Sequence, residues 1–215
     1  MRLTLAIETS SARYAIALGA GGEALFESVR DLPGDTSRDL SDVLTRGLAA
    51  CGARVADIEQ IGVDIGPGSL GSLRDGVSFA NGLAYALERP VFAFTSFELI
   101  GRLAWRGTPV LCTRRANEGL AYAGVFDGAH VARMRFGKLE AIVPLVAREG
   151  SHFLAAGSFR SESAALLPDA QVEDSGVETP TVAAMLGIGF ETRTSHHALT
   201  NPVAPLHERS AVFHD

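Results

Sequence analysis

The sequence predicts an α/β protein with mixed sheets, and three observations carry that prediction. Short apolar runs of strand character alternate with stretches of helical period. Two hairpin signals, Gly21-Gly22 and Asp127-Gly128, each join a pair of such runs into an antiparallel unit. A three-strand group opens the first half of the chain and another opens the second, without detectable sequence repetition.

The elements follow in order. Leu3 to Ile7 reads as a buried strand; Tyr14, Ile16 and Leu18 alternate with alanines as a second, and Glu23 to Arg30 is the third. A loop with Pro33 and Gly34 leads to the helix-start residues Asp35, Thr36 and Ser37. Leu40, Val43, Leu44, Leu48 and Cys51 then recur at helical spacing, and Gly52 closes that helix. Ile61 to Ile65 is a short strand, followed by the Gly-rich loop Gly66 to Ser72 and a helix over Leu73 to Leu87, stopped before Pro90. Val91 to Phe94 is a strand, and Thr95 with Glu98 is a capping box for the helix carrying Leu99 and Leu103. The second half offers strands at Val110 to Thr113, Leu120 to Phe126 and His130 to Arg135. It continues with a short helix near Pro144 to Arg148, a strand at Phe153 to Ala156 and a helix after Thr179-Pro180.

Composition bounds the function. The 215 residues are 47% hydrophobic and 20% charged, which suits a packed globule and argues against disorder. The net charge of −6 has the wrong sign for a protein that holds nucleic acid unaided, and the one adjacent basic pair, Arg114-Arg115, is too small a patch. Cys51 and Cys112 sit in apolar patterns without metal-ligand spacing and read as buried free thiols. The six histidines include no His-x-x-x-His pair, so no metal site is expected. Every apolar run is too short to span a bilayer, and Glu8 ends the first one too early for a signal peptide, so a cytoplasmic protein is expected.

The loop Gly66 to Ser72 lies between a strand and a helix, where backbone N–H groups can cradle an anion. Gly66, Gly68 and Gly71 match the dinucleotide spacing, but the preceding strand is not the first of its unit and no acidic residue ends the next strand. A P-loop needs Lys where Ser72 stands, and a serine-hydrolase elbow needs Gly where Pro67 stands. The following helix is nearly encircled by apolar and small residues. One face can pack on its own sheet, and a second requires a cover, from this chain or from a partner.

Gly66-Pro67-Gly68-Ser69-Leu70, then Arg74 and Gly76, then Gly82-Leu83-Ala84 resemble the G-P-G-S-F-T-G-x-R-x-G…G-L-A signature of the TsaB/YeaZ family and its catalytic relative TsaD. Leu5-Ala6-Ile7-Glu8-Thr9-Ser10 resembles the family's opening L-A-I-D-T-S, and Pro90-Val91 through Thr95-Ser96 resembles its P-V-x-x-V-S-T/S. Pro205 to Arg209 looks like a worn P-x-Y-L-R, and D-A-R-x-G-E-V-Y is faint around Arg114 to Tyr122. Glu8 replaces the family's first-strand Asp, Leu70 its loop aromatic and Gly71-Ser72 its Thr-Gly, and the His before the first helix is missing at Ser37 to Asp39.

The resemblance implies the actin-like/sugar-kinase (ASKHA) fold: a first lobe at 1–106, a reduced second lobe at 107–192, and a segment 193–215 returning to the first. It implies a non-catalytic dimerising subunit in synthesis of tRNA N6-threonylcarbamoyladenosine, working with a TsaD-like catalytic subunit and a TsaE-like ATPase, and homodimeric in isolation. No cofactor and no strong tRNA binding by the chain alone are expected. The partner interface is expected at Leu73, Gly76, Val77, Ala80, Leu83, Ala84 and Leu87. Glu8, Thr9, Ser10, Gly66, Gly68 and Ser69 are expected to be a vestigial nucleotide loop. The alternative is a small-molecule enzyme of the actin-like superfamily that uses Thr9, Ser10, Gly68 and Ser69 on phosphate.

Overall fold

The computed structural model describes residues 1–11, 14–28, 39–190 and 193–214. The expected helix-start residues Asp35, Thr36 and Ser37, the Pro33-Gly34 loop and the strand end at Arg30 lie outside them.

Two compact units emerge. The first comprises Met1–Ile65, Leu70–Phe94 and Thr181–Pro205, and the second Gly66–Ser69, Thr95–Pro180 and Leu206–Asp215. The first unit is a six-stranded mixed sheet. Its strands are β1 (Leu3–Glu8), β2 (Ala15–Ala20), β3 (Glu23–Ser28), β4 (Ile58–Asp64), β5 (Val91–Phe94) and, after the second unit, a two-residue strand at Ser195–His196. The order is Ser195–His196, β5, β4, β1, β2, β3. β1 runs antiparallel to β2 and parallel to β4, as a hairpin followed by helical crossovers requires. Leu3, Leu5 and Ile7 alternate onto one face and join a core with α1 (Leu40–Ala50) and α2 (Leu70–Leu87). Asp39 caps α1, accepting from the Ser41 and Asp42 N–H groups at 2.8 and 3.3 Å, and those donors hold its carboxyl below the usual range. At Gly62 a Cβ would run into Met185 and Phe190, so the missing side chain makes room for the segment carrying the helix Val182–Leu186.

The second unit repeats the arrangement. β6 (Val110–Arg115), β7 (Ala121–Phe126), β8 (Val131–Gly137), β9 (His152–Gly157) and β10 (Gln171–Asp174) stand in the order β10, β9, β6, β7, β8. With β6 matched to β1, this is the first unit's β5, β4, β1, β2, β3. α3 (Ser96–Ala104) joins one core with Val110, Cys112 and Phe126; α4 (Leu139–Ala147) joins another with Leu111, Ala123 and Val125. Successive strand residues thus face opposite helices, with period two. The 18-residue α2 corresponds here to a four-residue 3-10 turn, Ser163–Leu166, which is the reduction of this half.

Several boundaries differ from the sequence reading. α2 starts at Leu70, because Leu70, Gly71 and Ser72 of the loop already coil into its first turn. α4 starts at Leu139 and contains Pro144, whereas the proline suggested a start there. α3 clusters with the second unit and Thr181–Pro205 with the first, so the units divide at Phe94 and Thr95 and not near Gly107. Each of these elements follows its apolar face, which strand counting along the chain does not register.

Candidate functional site

At the end of β1, Glu8 is buried, and one oxygen of its carboxylate accepts from the Ser10 N–H at 2.5 Å, the Ser10 hydroxyl at 2.6 Å and the Ser11 N–H at 3.3 Å. An acidic residue in this position ties its own turn together and uses the Ser10 hydroxyl to do so. The Thr9 hydroxyl is buried with no hydrogen-bond partner and abuts the bare Cα of Gly76 in α2. That close approach is the physical requirement behind Gly76.

In the second unit, Gly66 takes a φ of 100°, and its carbonyl accepts from the Ser96 N–H at 2.7 Å. Pro67 has no N–H to offer an anion, and its carbonyl accepts from Nε of Arg114 at 3.4 Å. Arg114 is only 4% exposed, so half of the Arg114-Arg115 pair is an internal group and not part of a surface patch. Arg115 stacks 4.6 Å from the Phe159 ring centroid. Gly68 is half-buried and Ser69 exposed. Glu8, Thr9 and Ser10 therefore belong to one compact unit and Gly66, Gly68 and Ser69 to the other. Sequence reasoning missed Arg114 and the fully buried Asp64 at the end of β4 as internal charges. A charged residue continuing an apolar strand run was the available signal.

α2 carries all seven residues expected to face a partner. Leu73, Gly76, Val77, Ala80 and Ala84 are buried, with Val77, Ala80 and Ala84 in the core around β1 and β4, and only Leu83 and Leu87 keep partial exposure. Five of the seven expected interface residues are thus packed within the chain's own fold. The opposite face carries Gly71, Arg74, Asp75, Ser78, Gly82, Tyr85 and Ala86, all exposed, with Phe79 and Leu83 at one flank. Tyr85 is 61% exposed. Small residues occur on both faces and do not distinguish them; the larger Leu73 and Val77 fix the inward direction.

A cleft of about 390 Å³ in the first unit contains none of the predicted site residues. Its polar walls are already paired, Gln60 with Thr4 at 2.8 Å and Arg2 with Glu59 at 3.2 Å. Among the described residues no group of three His, Cys, Asp or Glu could hold a metal, and no helix is long and apolar enough to cross a membrane.

A six-stranded and a five-stranded mixed sheet that share one strand order, with parallel crossovers, place the chain in the actin-like/sugar-kinase fold class. YeaZ from Pseudomonas aeruginosa superposes with a TM-score of 0.72 at 23% identity, covering 94% of this chain and 100% of that one. A second Pseudomonas aeruginosa structure, a protein with similarity to peptidase YEAZ, gives 0.74 at 21% identity, covering 97% and 100%. The family profile described as TsaD, tRNA N6-adenosine threonylcarbamoyltransferase, matches residues 34–144, half of the chain. TsaB of Bacillus subtilis, a tRNA threonylcarbamoyladenosine biosynthesis protein, is 31% identical over 147 residues, 65% of this chain and 59% of its own. A tRNA N6-adenosine threonylcarbamoyltransferase of Thermus thermophilus is 38% identical over 63 residues, 29% of this chain and 20% of its own. The chain thus spans about a fifth to a third of the length of the transferases it matches. It belongs to the TsaD-related TsaB/YeaZ family.

Proposed function

We propose that this chain is a non-catalytic subunit in tRNA N6-threonylcarbamoyladenosine synthesis, pairing with a TsaD-like transferase and working with a TsaE-like ATPase. The observation that carries the reading is the outer face of α2. Gly71, Ser78, Gly82 and Ala86 form a stripe of small residues beside Tyr85, interrupted by Asp75 and flanked by Arg74, Phe79 and Leu83. Small residues let a second helix approach closely, and an amphipathic aromatic supplies a contact anchor. In isolation the same stripe would be covered by a second copy, giving a homodimer. The net charge of −6 leaves tRNA binding to the assembled partners, in the cytoplasm.

Two features weigh against the alternative, an actin-like phosphate enzyme. The Glu8 carboxylate is already engaged by Ser10 and Ser11, and Pro67 interrupts the run of N–H donors a phosphate cradle needs. The purified chain given ATP should release phosphate no faster than background. Turnover that disappears on Glu8→Ala or Ser69→Ala would establish the enzyme instead.

A further inference from the structure

Residues 193–205 hold to the first unit chiefly at their two ends, with Ala198 between them also packed against its core. At the start, the Arg193 guanidinium donates to the Ala93 carbonyl at 2.9 Å and lies 3.8 Å from the Phe94 ring centroid. Ser195–His196 then forms two antiparallel pairs with β5. The chain next turns on itself, the Asn201 N–H returning to the His197 carbonyl at 2.9 Å, with Leu199 at the tip. At the far end Asn81 of α2 imitates a strand neighbour of Val203. Its Nδ2 donates to the Val203 carbonyl at 2.9 Å, and its Oδ1 accepts from the Val203 N–H at 3.2 Å. Val203 is buried in the same core as Val77, Ala80 and Ala84.

This is a sparse attachment. A two-residue strand does not hold a segment by itself, and the turn closes its hydrogen bonds internally. His196 Nδ1 is buried without a hydrogen-bond partner, a cost that release to water removes. Beyond the Arg193 anchor and the small Ala198 contact, docking depends on the Asn81 side chain and the apolar seat of Val203. We propose that residues 193–205 form a strap, latched to α2 by Asn81, that undocks while the six-stranded sheet stays folded and thereby uncovers the Val203 seat. Sparsely anchored segments open at lower free energy than the core they cover.

Hydrogen exchange on the full chain, followed by mass spectrometry, tests the strap without reference to any partner. Amides of 195–205 should exchange faster than those of β1 and β4. Asn81→Ala should speed them about tenfold or more, leaving β1 and β4 unchanged and raising the emission of the apolar dye ANS. Val203→Ala keeps both backbone groups and removes only the seat; it should act in the same direction and serves if Asn81→Ala fails to fold. The strap is overturned if 195–205 exchange in step with β1 and β4, if neither variant speeds them, or if faster exchange brings no added ANS emission.

Discussion

A carboxylate placed on either face of α2 separates the core role of this helix from its proposed contact role. Ala80 is 0% exposed and lies in the core with Leu5, Ile7 and Val63. Ala80→Glu would bury a charge with no partner, at a cost of about 3–5 kcal/mol. Overpacking adds about 1–3 kcal/mol where the core cannot yield. Against a total stability of about 5–15 kcal/mol, this leaves a protein that is partly unfolded at room temperature or melts far lower. Gly82, on the exposed face, predicts the opposite sign. Replacing a mid-helix glycine by glutamate gains about 0.5 kcal/mol of helix propensity, and the carboxylate remains in water. In dilute solution, where association adds little to apparent stability, Gly82→Glu should melt at or slightly above the parent temperature. In concentrated solution it should lose self-association, since a partner would have to desolvate the new charge; a weakening of roughly 100-fold is expected. Circular dichroism melts and sedimentation velocity read the two quantities separately. A stable Ala80→Glu that fails to associate would reverse the assigned faces, and a Gly82→Glu that associates normally would remove α2 from the interface.

Two further expectations rest on single contacts. A Cβ at Gly76 would press on the Thr9 hydroxyl and lie 3.0 and 3.3 Å from its Cγ2 and Cβ. Thr9 is buried and β-branched, so it cannot swing aside, and Gly76→Ala should cost about 1–3 kcal/mol despite better helix propensity. Thr9→Ala added to Gly76→Ala should recover most of that loss in a double-mutant cycle, and simple additivity would contradict the contact. Burial pushes the Cys112 thiol far above its ordinary range, while Cys51 is half-buried at the end of α1. At pH 8 a disulfide reagent should therefore titrate one thiol quickly and the second only on unfolding; two fast equivalents would place Cys112 at the surface.

Much of the fold was legible because its signals are local. The strand of Leu3, Leu5 and Ile7, the Thr95 cap and the Asp127-Gly128 turn each follow from spacing within a few residues. Thr95 accepts from the Glu98 N–H at 3.1 Å, as the cap requires. What stayed hidden depends on distant partners. β10 is a short polar edge strand, and Ser195–His196 exists only because β5 has an open edge; neither carries a hydrophobic pattern. The inward direction of α2 is hidden because alanine and glycine occur on both faces, and only the sheet beneath chooses between them. The site was legible as a loop and a helix, and its internal charges Asp64 and Arg114 were not, since burial of a charge depends on neighbours far along the chain.

The role proposed for this chain, pairing through α2 with a TsaD-like transferase, is tested by direct mixing of the two purified proteins. Sedimentation velocity on the parent chain with the transferase of the same cell should show a stable heterodimer. Gly82→Glu should abolish that species, while an added charge on the far side of the fold should leave it intact. Failure of the parent chain to bind, or a heterodimer that persists undiminished with Gly82→Glu, would contradict pairing through α2.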